Sequence, residues 1–327
     1  MGYATGWAPG RSSGPASPMQ TVPSFLVVLA AFNGAAYLRE QVASIMSQTA
    51  VDVRLVISVD RSTDGTEALV ESLVEEDRRI SALPFFEVFG GAAPNFFRLL
   101  REVDLRGFDY LSLADQDDIW QPEKLLRAHD TMACTGAQGY SSNVIAFWPS
   151  GKRTLIQKNQ PQRRWDFLFE GPGPGCTFVL ERKLALACQA TVRACPTGLS
   201  DVGFHDWFIY ALARAQGHPW HIDGWPSMLY RQHAHNQIGV NAGLRPWLRR
   251  VSRIWSGWGF RQACLIAHLA GLQAHPFVAT WLHGQRLGLI GLALRSGQCR
   301  RRAQDRVLFG LSCLLMAVHL PRRKEPG

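Results

Sequence analysis

The stretch LSLADQDDIW, residues 111–120, joins an alternating apolar segment to a cluster of carboxylates. The apolar part predicts a short buried strand. Asp115, Asp117 and Asp118 then lie at the carboxyl end of that strand, which is where open α/β sheets bind ligands. Neighbouring carboxylates repel one another unless a cation lies among them, and Mg²⁺ or Mn²⁺ prefers oxygen ligands. The stretch therefore predicts a divalent-metal site at the edge of a sheet.

The same stretch has a second interpretation, in which the acids form a solvated turn. Asp118 would then cap a helix over residues 121–132, and Pro122 would occupy the first helical turn, where proline is favoured. The two interpretations are compatible with each other.

The segments before this stretch alternate between apolar strands and amphipathic helices. SFLVVLA (24–30) and VRLVISV (53–59) read as strands buried on both faces, and residues 83–89 read as a third strand. Asn33 and Asn95 are candidate helix caps. Strand and helix in alternation, with short connections, predict a doubly wound, mostly parallel α/β sheet.

The second half is less regular. Residues 144–148 and 176–180 read as strands, and residues 204–215 read as an amphipathic helix. The sequence EGPGPG at residues 170–175 is a loop, either an acceptor loop or a connector. Residues 24–240 form the predicted catalytic domain. Residues 1–23, rich in Gly, Ser and Pro, read as a disordered leader.

The positive charge is concentrated in the last quarter of the chain. Residues 241–327 contain 14 Lys and Arg against 2 Asp and Glu, whereas the other 240 residues contain 21 against 24. The longest apolar run there, residues 307–320, has 14 residues, and a spanning helix needs roughly 20. We expect a helical basic extension that lies on an anionic membrane, with basic clusters at Arg300, Arg301, Arg302 and Arg306 and at residues 322–324. The alternative is a helical subdomain that packs on the catalytic body.

The seven cysteines are odd in number and form no CxxC pair, which indicates reduced thiols and a cytoplasmic setting. No G-x-G-x-x-G turn follows the first strand, where AAFNGAA stands, so a dinucleotide-dependent oxidoreductase is disfavoured. The arginines of the last quarter are not interleaved with stacking aromatic residues, and we expect no nucleic-acid partner.

Six short motifs follow one another at domain-like spacing: AFN (31–33), VDRSTDGT (59–66), ADQDDIW (114–120), GCTF (175–178), HDW (205–207) and YRQH (230–233). In this order they resemble the motifs of the family 2 glycosyltransferases, in particular their rhamnosyltransferase-like branch. The resemblance covers residues 24–240. It implies a GT-A fold and an inverting transfer of a sugar from a nucleoside diphosphate.

The resemblance also implies a role for each matching residue. Asp206 matches the general base, and Asp117 with His233 would hold the Mg²⁺ or Mn²⁺ cofactor. Trp207 and Gln232 would contact the acceptor. The donor would be bound by Ala31, Phe32, Asn33, Asp60, Asp115 and Arg231, with Asp60 at the nucleobase and Asp115 near the ribose.

Four residues of these motifs also have a structural interpretation. Asp206 could be a helix N-terminal acid favoured by the dipole, His205 a packing neighbour, His233 a solvated loop histidine, and Trp207 a packing anchor.

The second motif departs from the family pattern, because Val59 replaces an acid and Arg61 replaces a glycine. This departure is the support for a non-enzymatic alternative, a degenerate GT-A protein that acts as a membrane-bound assembly partner. The intact Asp115, Asp117 and Asp206 favour an enzyme. The resemblance implies dTDP-rhamnose or a UDP-hexose as donor and a glycan or lipid-linked glycan as acceptor. We expect a role in cell-surface polysaccharide assembly, on the inner face of the cell membrane.

Overall fold

A nine-stranded sheet with helices on both faces organises the chain. The computed structural model describes residues 22–85, 88–195, 197–233 and 257–319. The strands are β1 Ser24–Ala31, β2 Asp52–Val59, β3 Ile80–Ala82, β4 Tyr110–Ala114, β5 Ile119–Trp120, β6 Gly139–Phe147, β7 Arg153–Ile156, β8 Val179–Glu181 and β9 Trp220–Arg231. The helices are α1 Leu38–Met46, α2 Thr66–Glu76, α3 Ala92–Glu102, α4 Lys124–Thr135, α5 Arg182–Ala194, α6 His205–Ala215, α7 Trp258–Leu269, α8 Pro276–Ala279, α9 Arg286–Leu294, α10 Ser296–Cys299 and α11 Ala303–His319.

The first half forms the parallel part of the sheet, in the order β3-β2-β1-β4. Side chains alternate between the two faces of a strand. In β1, Phe25, Val27 and Leu29 therefore enter one hydrophobic cluster, whereas Leu26 and Val28 enter the other. Both faces are covered, as the unbroken apolar sequence predicts. The carboxyl ends of β1, β2 and β4 meet at one edge.

The second half extends the sheet with strands of both orientations. β8 lies antiparallel between β4 and β6, β9 is parallel to β6, and β5 is antiparallel to β9. The predicted α/β class is confirmed, with the parallel order confined to the first half and the β6–β9 pair. The pairing of Ile119 with Leu229 brings the acidic stretch beside the end of β9.

The predicted third strand is wrong. β3 ends at Ala82, because Pro84 has no N–H group for the strand ladder. The N–H groups of Phe89 and Gly90 donate instead to the carboxylate of Asp60.

The three predicted helix caps are also wrong. Asn33 lies five residues before α1 with a φ of 46°, and its Oδ1 accepts the N–H of Thr63. Asn95 lies inside α3. Asp118 is buried and accepts the backbone N–H of Arg231, so the solvated-turn interpretation fails and α4 begins only at Lys124.

The helices from α7 onward pack on the sheet body and share its hydrophobic core. Ile266, Trp281 and Leu289 belong to the same cluster as Phe96 of α3 and Phe208 of α6. The predicted domain boundary after residue 240 lies outside the described residues, as do residues 1–21 of the predicted leader. Among the described helices, none combines the length and apolarity needed to cross a lipid bilayer.

The predicted basic cluster at residues 300–306 is wrong in part. Arg301 is 3% exposed and points inward to Asp166, because this buried carboxylate needs a partner. Arg306 donates to the backbone carbonyls of Arg300 and Arg301. Arg302 is exposed. The second predicted cluster, residues 322–324, lies outside the described residues.

Candidate active site

The loops after β1 and β2 interlock through hydrogen bonds between side chains and backbone. Asn33 Oδ1 accepts the N–H of Thr63 at 2.8 Å, and the Asn33 N–H donates to Ser62 Oγ at 3.0 Å. The Thr66 hydroxyl accepts the N–H of Gly34 at 2.9 Å. Asparagine tolerates the left-handed conformation that this turn requires. The AFN and STDGT motifs therefore form one continuous surface at the edge of the sheet.

Phe32 presents its ring to solvent at the centre of this surface. The side chain is 53% exposed, while the backbone N–H and C=O both bond to the amide of Gln116, at 2.7 and 2.9 Å. Ala31 is buried, and its carbonyl accepts the N–H of Asp60 at 2.8 Å. Gln116, which the sequence analysis did not single out, thus ties the loop after β1 to the acidic stretch.

Asp60 holds backbone in this structure. It is 4% exposed, and its two oxygens accept the N–H groups of Phe89 and Gly90, each at 2.9 Å. Its carboxylate therefore fixes the segment that crosses the ends of β2 and β3. Of the two departures from the family motif, Val59 is buried in the core and Arg61 is exposed.

Asn95 is a second residue that the sequence analysis did not place in the site. It is buried in α3, and its amide nitrogen donates to the carbonyls of Ser58 at 3.1 Å and Ala31 at 3.4 Å. It therefore joins the ends of β1 and β2. The only signal in the sequence was a polar residue within an apolar helical face.

The acidic stretch and the YRQH motif meet because β5 pairs with β9. His233 Nε2 lies 2.7 Å from Asp117 Oδ2. Arg231 donates from Nε to the carbonyl of Asp117 at 2.8 Å, and its backbone N–H donates to Asp118 Oδ1 at 3.1 Å. Its guanidinium lies between the rings of Tyr37 and Phe147, 4.8 and 4.7 Å from their centroids.

Asp117 and His233 fit a divalent cation. One carboxylate oxygen and one imidazole nitrogen already lie within a coordination shell of each other, and both side chains retain some exposure. Mn²⁺ accepts imidazole as well as carboxylate, and a site with few protein ligands leaves room for phosphate oxygens.

A second group of potential ligand atoms lies behind them. Atoms of Asp115, Asp118 and Cys176 are within 4.8 Å of one another. Burial, reinforced by the two carboxylates, raises the pKa of the Cys176 thiol well above its ordinary value, and a protonated thiol is a poor metal ligand. Buried Lys124 donates to the Cys176 carbonyl at 2.8 Å. We therefore interpret Asp115, Asp118 and Cys176 as residues that hold the acidic stretch in position, and not as a second metal site.

Asp206 lies in the first turn of α6, where its Oδ1 accepts the N–H of Trp207 at 2.7 Å. Burial raises the pKa of Asp206 to about 6, although the Trp207 N–H and the ammonium of Lys158 oppose the shift. Burial and then the charge of Asp117 raise the pKa of Asp115 to about 7, with a smaller contribution from Asp206. The charge of Asp206 thus acts on Asp115, the first acid of the stretch.

The EGPGPG loop packs against the start of α6. A Cβ on Gly175 would lie 2.6 Å from His205 Nε2 and 3.1 Å from Asp206 Cβ, so only glycine fits without displacing the helix. His205 stacks on Phe96 with ring centroids 3.9 Å apart, and burial lowers its pKa to about 3. His205 is therefore a neutral packing residue, as its structural interpretation held.

The two residues expected to contact the acceptor are placed differently from that expectation. Trp207 is buried, and its indole N–H donates to the carbonyl of Phe167 at 2.9 Å, which makes it an anchor of α6. Gln232 is also buried, with its amide on the carbonyl of Arg231. Burial leaves neither side chain a broad face for a sugar.

Comparison with known proteins identifies relatives of this architecture. The model of "Glycosyl transferase family 2" matches residues 26–186. The dTDP-rhamnosyl transferase RfbG of Shigella flexneri is 37% identical over 288 residues, which cover 88% of this chain and 99% of RfbG. The succinoglycan biosynthesis protein ExoO of Rhizobium meliloti is 30% identical over 117 residues, which cover 36% of this chain and 32% of ExoO.

Solved structures share the fold at low sequence identity. TarS 1-349 of S. aureus in complex with UDP-GlcNAc is 12% identical with a TM-score of 0.51, covering 90% of this chain and 89% of that one. The structure of TarS 1-349 in complex with UDP is 13% identical with a TM-score of 0.52, covering 93% of this chain and 94% of that one. The fold is that of the GT-A glycosyltransferases. Because the similarity to RfbG extends over nearly the whole of both chains, the protein belongs to glycosyltransferase family 2 and is a glycosyltransferase.

Proposed function

We propose that the protein transfers a sugar from a nucleoside diphosphate to a glycan hydroxyl, with inversion at the anomeric carbon and with help from Mg²⁺ or Mn²⁺. The observation that carries the proposal is the position of Asp206 against Gly175, where a Cβ would lie 3.1 Å from Asp206 Cβ, while the next residue, Cys176, has its ligand atom within 4.8 Å of those of Asp115 and Asp118. dTDP-rhamnose is the first choice of donor, because RfbG is named a dTDP-rhamnosyl transferase. A UDP-hexose is the second choice.

The donor would lie across the ends of β1 and β2. The exposed ring of Phe32 offers a face for the nucleobase, beside the Asn33 turn and the segment that Asp60 holds. Arg231, fixed between two rings, places a cation beside the diphosphate position next to Asp117.

Asp117 and His233 would hold the divalent cation. When bound, such a cation neutralises charge on the departing diphosphate. The bond from the Arg231 N–H to Asp118 keeps the acidic stretch in place.

Asp206 would act as the general base. The acceptor oxygen forms a bond to the anomeric carbon as the bond from that carbon to the diphosphate oxygen breaks. The acceptor proton passes to the Asp206 carboxylate, and the nucleoside diphosphate leaves with the bonding electrons. A single displacement from the opposite face inverts the configuration, so no second carboxylate nucleophile is required.

A thermal-shift panel of nucleotide sugars with and without Mn²⁺ tests the donor, because a ligand that binds the folded state raises its melting temperature. We expect the largest shift with dTDP-rhamnose and Mn²⁺. The anomeric configuration of the product, read from NMR couplings, tests the mechanism, and retention would contradict it. Failure of every nucleotide sugar to bind or be hydrolysed would favour the non-enzymatic assembly partner.

The lipid-linked acceptor gives a reason for a membrane-facing surface. Leu287, Ile290 and Leu294 of α9 are exposed, and beside them six apolar residues of α11 are exposed at helical spacing. The six are Val307, Leu308, Leu311, Leu314, Leu315 and Val318. We propose that this apolar surface lies on the anionic inner face of the cell membrane, with the exposed Arg302 directly before α11.

Liposome flotation tests this surface. We expect binding to vesicles that contain anionic lipid, reduced in the exposed-site variant Leu311→Glu/Leu315→Glu, with exposed Leu186→Glu as the control elsewhere on the molecule. Equal flotation of the double variant and the wild type would contradict the proposed surface.

A further inference from the structure

The EGPGPG loop, residues 170–175, is held by arginines that lie about 130 residues later in the chain. Arg301, which precedes α11, donates from its backbone N–H to Glu170 Oε1 at 2.6 Å and from its guanidinium to the carbonyl of Gly171 at 2.7 Å. The neighbouring Arg300 donates to the carbonyl of Phe169 at 2.6 Å. Two consecutive residues of one segment thus hold residues 169–171 of another.

The anchor beneath this loop is a buried carboxylate. Asp166 is fully buried, and its Oδ2 lies 3.3 Å from a guanidinium nitrogen of Arg301 and 3.1 Å from the Tyr210 hydroxyl. Arg214 lies 3.3 Å from the other oxygen. Tyr210 and Arg214 belong to α6, so Asp166 links the helix that carries Asp206 to Arg301.

The loop connects the residues that Arg301 holds to the start of α6, where Asp206 lies. From Gly171 it runs through Pro172 and Pro174, whose rings fix φ, to Gly175 in close contact with the start of α6. A Cβ on Gly171 would lie 3.8 Å from Trp207 Cα, so the beginning of the loop also contacts this helix. A displacement at residues 170–171 therefore reaches the helix turn that orients the Asp206 carboxylate.

We infer that Arg301 is a positioning residue for acceptor attack, which acts through residues 170–175 on Asp206. This inference rests on the proposed role of Asp206 as the base. It places a determinant of catalysis beyond residue 186, where the family match ends.

The test compares Arg301→Lys with the wild type. Lysine keeps the charge but lacks the planar fork that reaches Asp166 and the Gly171 carbonyl together. We expect kcat for sugar transfer to fall about 10- to 100-fold, because small displacements of a catalytic group are costly. We expect the donor Kd and the slow hydrolysis of donor by water to stay within about twofold. Arg295→Met, an exposed change in the same region, is the matched control and keeps its transfer rate.

Hydrogen exchange measures the loop without relying on activity. We expect the amides of residues 170, 171, 173 and 175 to exchange faster in Arg301→Lys, with those of β1 and β2 unchanged. If Arg301→Lys fails to fold, Glu170→Gln, which keeps the Arg301–Asp166 pair, should show the same changes at smaller size.

Unchanged transfer and unchanged exchange in a folded Arg301→Lys protein would overturn the inference, and so would an equal loss of donor binding. A wild type that transfers no sugar would contradict the proposed function instead, while the exchange measurement would still decide whether Arg301 holds the loop.

Discussion

The proposed donor side and the proposed acceptor side of the site are held by different kinds of contact. On the donor side, exposed turns after β1 and β2 bond side chain to backbone, as Asn33 does with Thr63 over 30 residues of sequence. On the acceptor side, Asp206 depends on buried charges, and Arg301 reaches Asp166 over 135 residues. The proposed donor side is thus held by hydrogen bonds between side chains and backbone at exposed turns, and the proposed acceptor side by buried ion pairs. A change of acceptor loop can therefore leave the donor surface intact.

The comparison would be tested most severely by Asp117→Asn. An amide is a weaker ligand for a hard cation than a carboxylate, so we expect Mn²⁺-dependent donor binding and turnover to be lost. Calorimetric titration of donor with and without Mn²⁺ measures the first effect. Asp130→Asn, an exposed change in α4, is the control. Full activity of Asp117→Asn in Mn²⁺ would remove Asp117 from the metal site.

Asp206→Asn should separate the two sides. We expect donor binding to persist and kcat to fall ~10²- to 10⁴-fold, the usual cost of losing a general base. Exposed Asp201→Asn is the matched control near the same helix. If donor affinity collapses and residual turnover stays normal, Asp206 has a structural role, and the acceptor side has to be reassigned.

Gly175→Ala sharpens the comparison without touching a functional group. Its Cβ would meet His205 Nε2 at 2.6 Å, so the start of α6 must shift, and we expect kcat to fall by up to ~10²-fold. Gly173→Ala is the control, because its Cβ would meet its nearest atom only at 3.4 Å. Steady-state kinetics on both variants measure the difference. Equal activities would show that the loop does not position Asp206.

The smallest expected effect is in the pH profile. Burial raises the pKa of Asp206 to about 6, and only the ionised carboxylate accepts a proton, so kcat should decline as pH falls through 6. At pH 5, kcat should be about tenfold below its plateau value, because the ionised fraction of Asp206 falls about tenfold for each pH unit below the pKa. Measuring the donor Kd over the same pH range distinguishes protonation of Asp206 from weaker donor binding. A flat profile down to pH 5 would contradict the assignment.

The sequence predicted the features whose causes are local. β1 follows from an unbroken apolar run and β2 and β4 from mostly apolar segments, and the place of the acids at residues 115–118 follows from their position after β4. It also led us to expect Asp117 and His233 at one metal site, and the structure brings their side chains together.

The remaining features depend on partners that are distant in the sequence. Nothing near Asn95 shows that it will join Ala31 to Ser58. The third strand was predicted in the wrong place because Pro84 ends β3 despite the apolar residues that follow it. The bond from the Phe89 N–H to Asp60 was not predicted, because these residues lie 29 positions apart in the sequence. Arg301 looked like one basic residue among several, because its buried acid lies far away in the chain.

The pairing of the two-residue strand β5 with β9 has a consequence for how the protein is made. Asp117 and His233 are separated by 116 residues, and β9 is the last strand of the sheet among the described residues. A chain emerging from the ribosome can pair β1 to β4 first and carries Asp117 without His233 until β9 is added, because contacts of large sequence separation form late. The contact between Asp117 and His233 therefore forms only when β9 joins the sheet, and a chain released before β9 would hold the acids without the histidine.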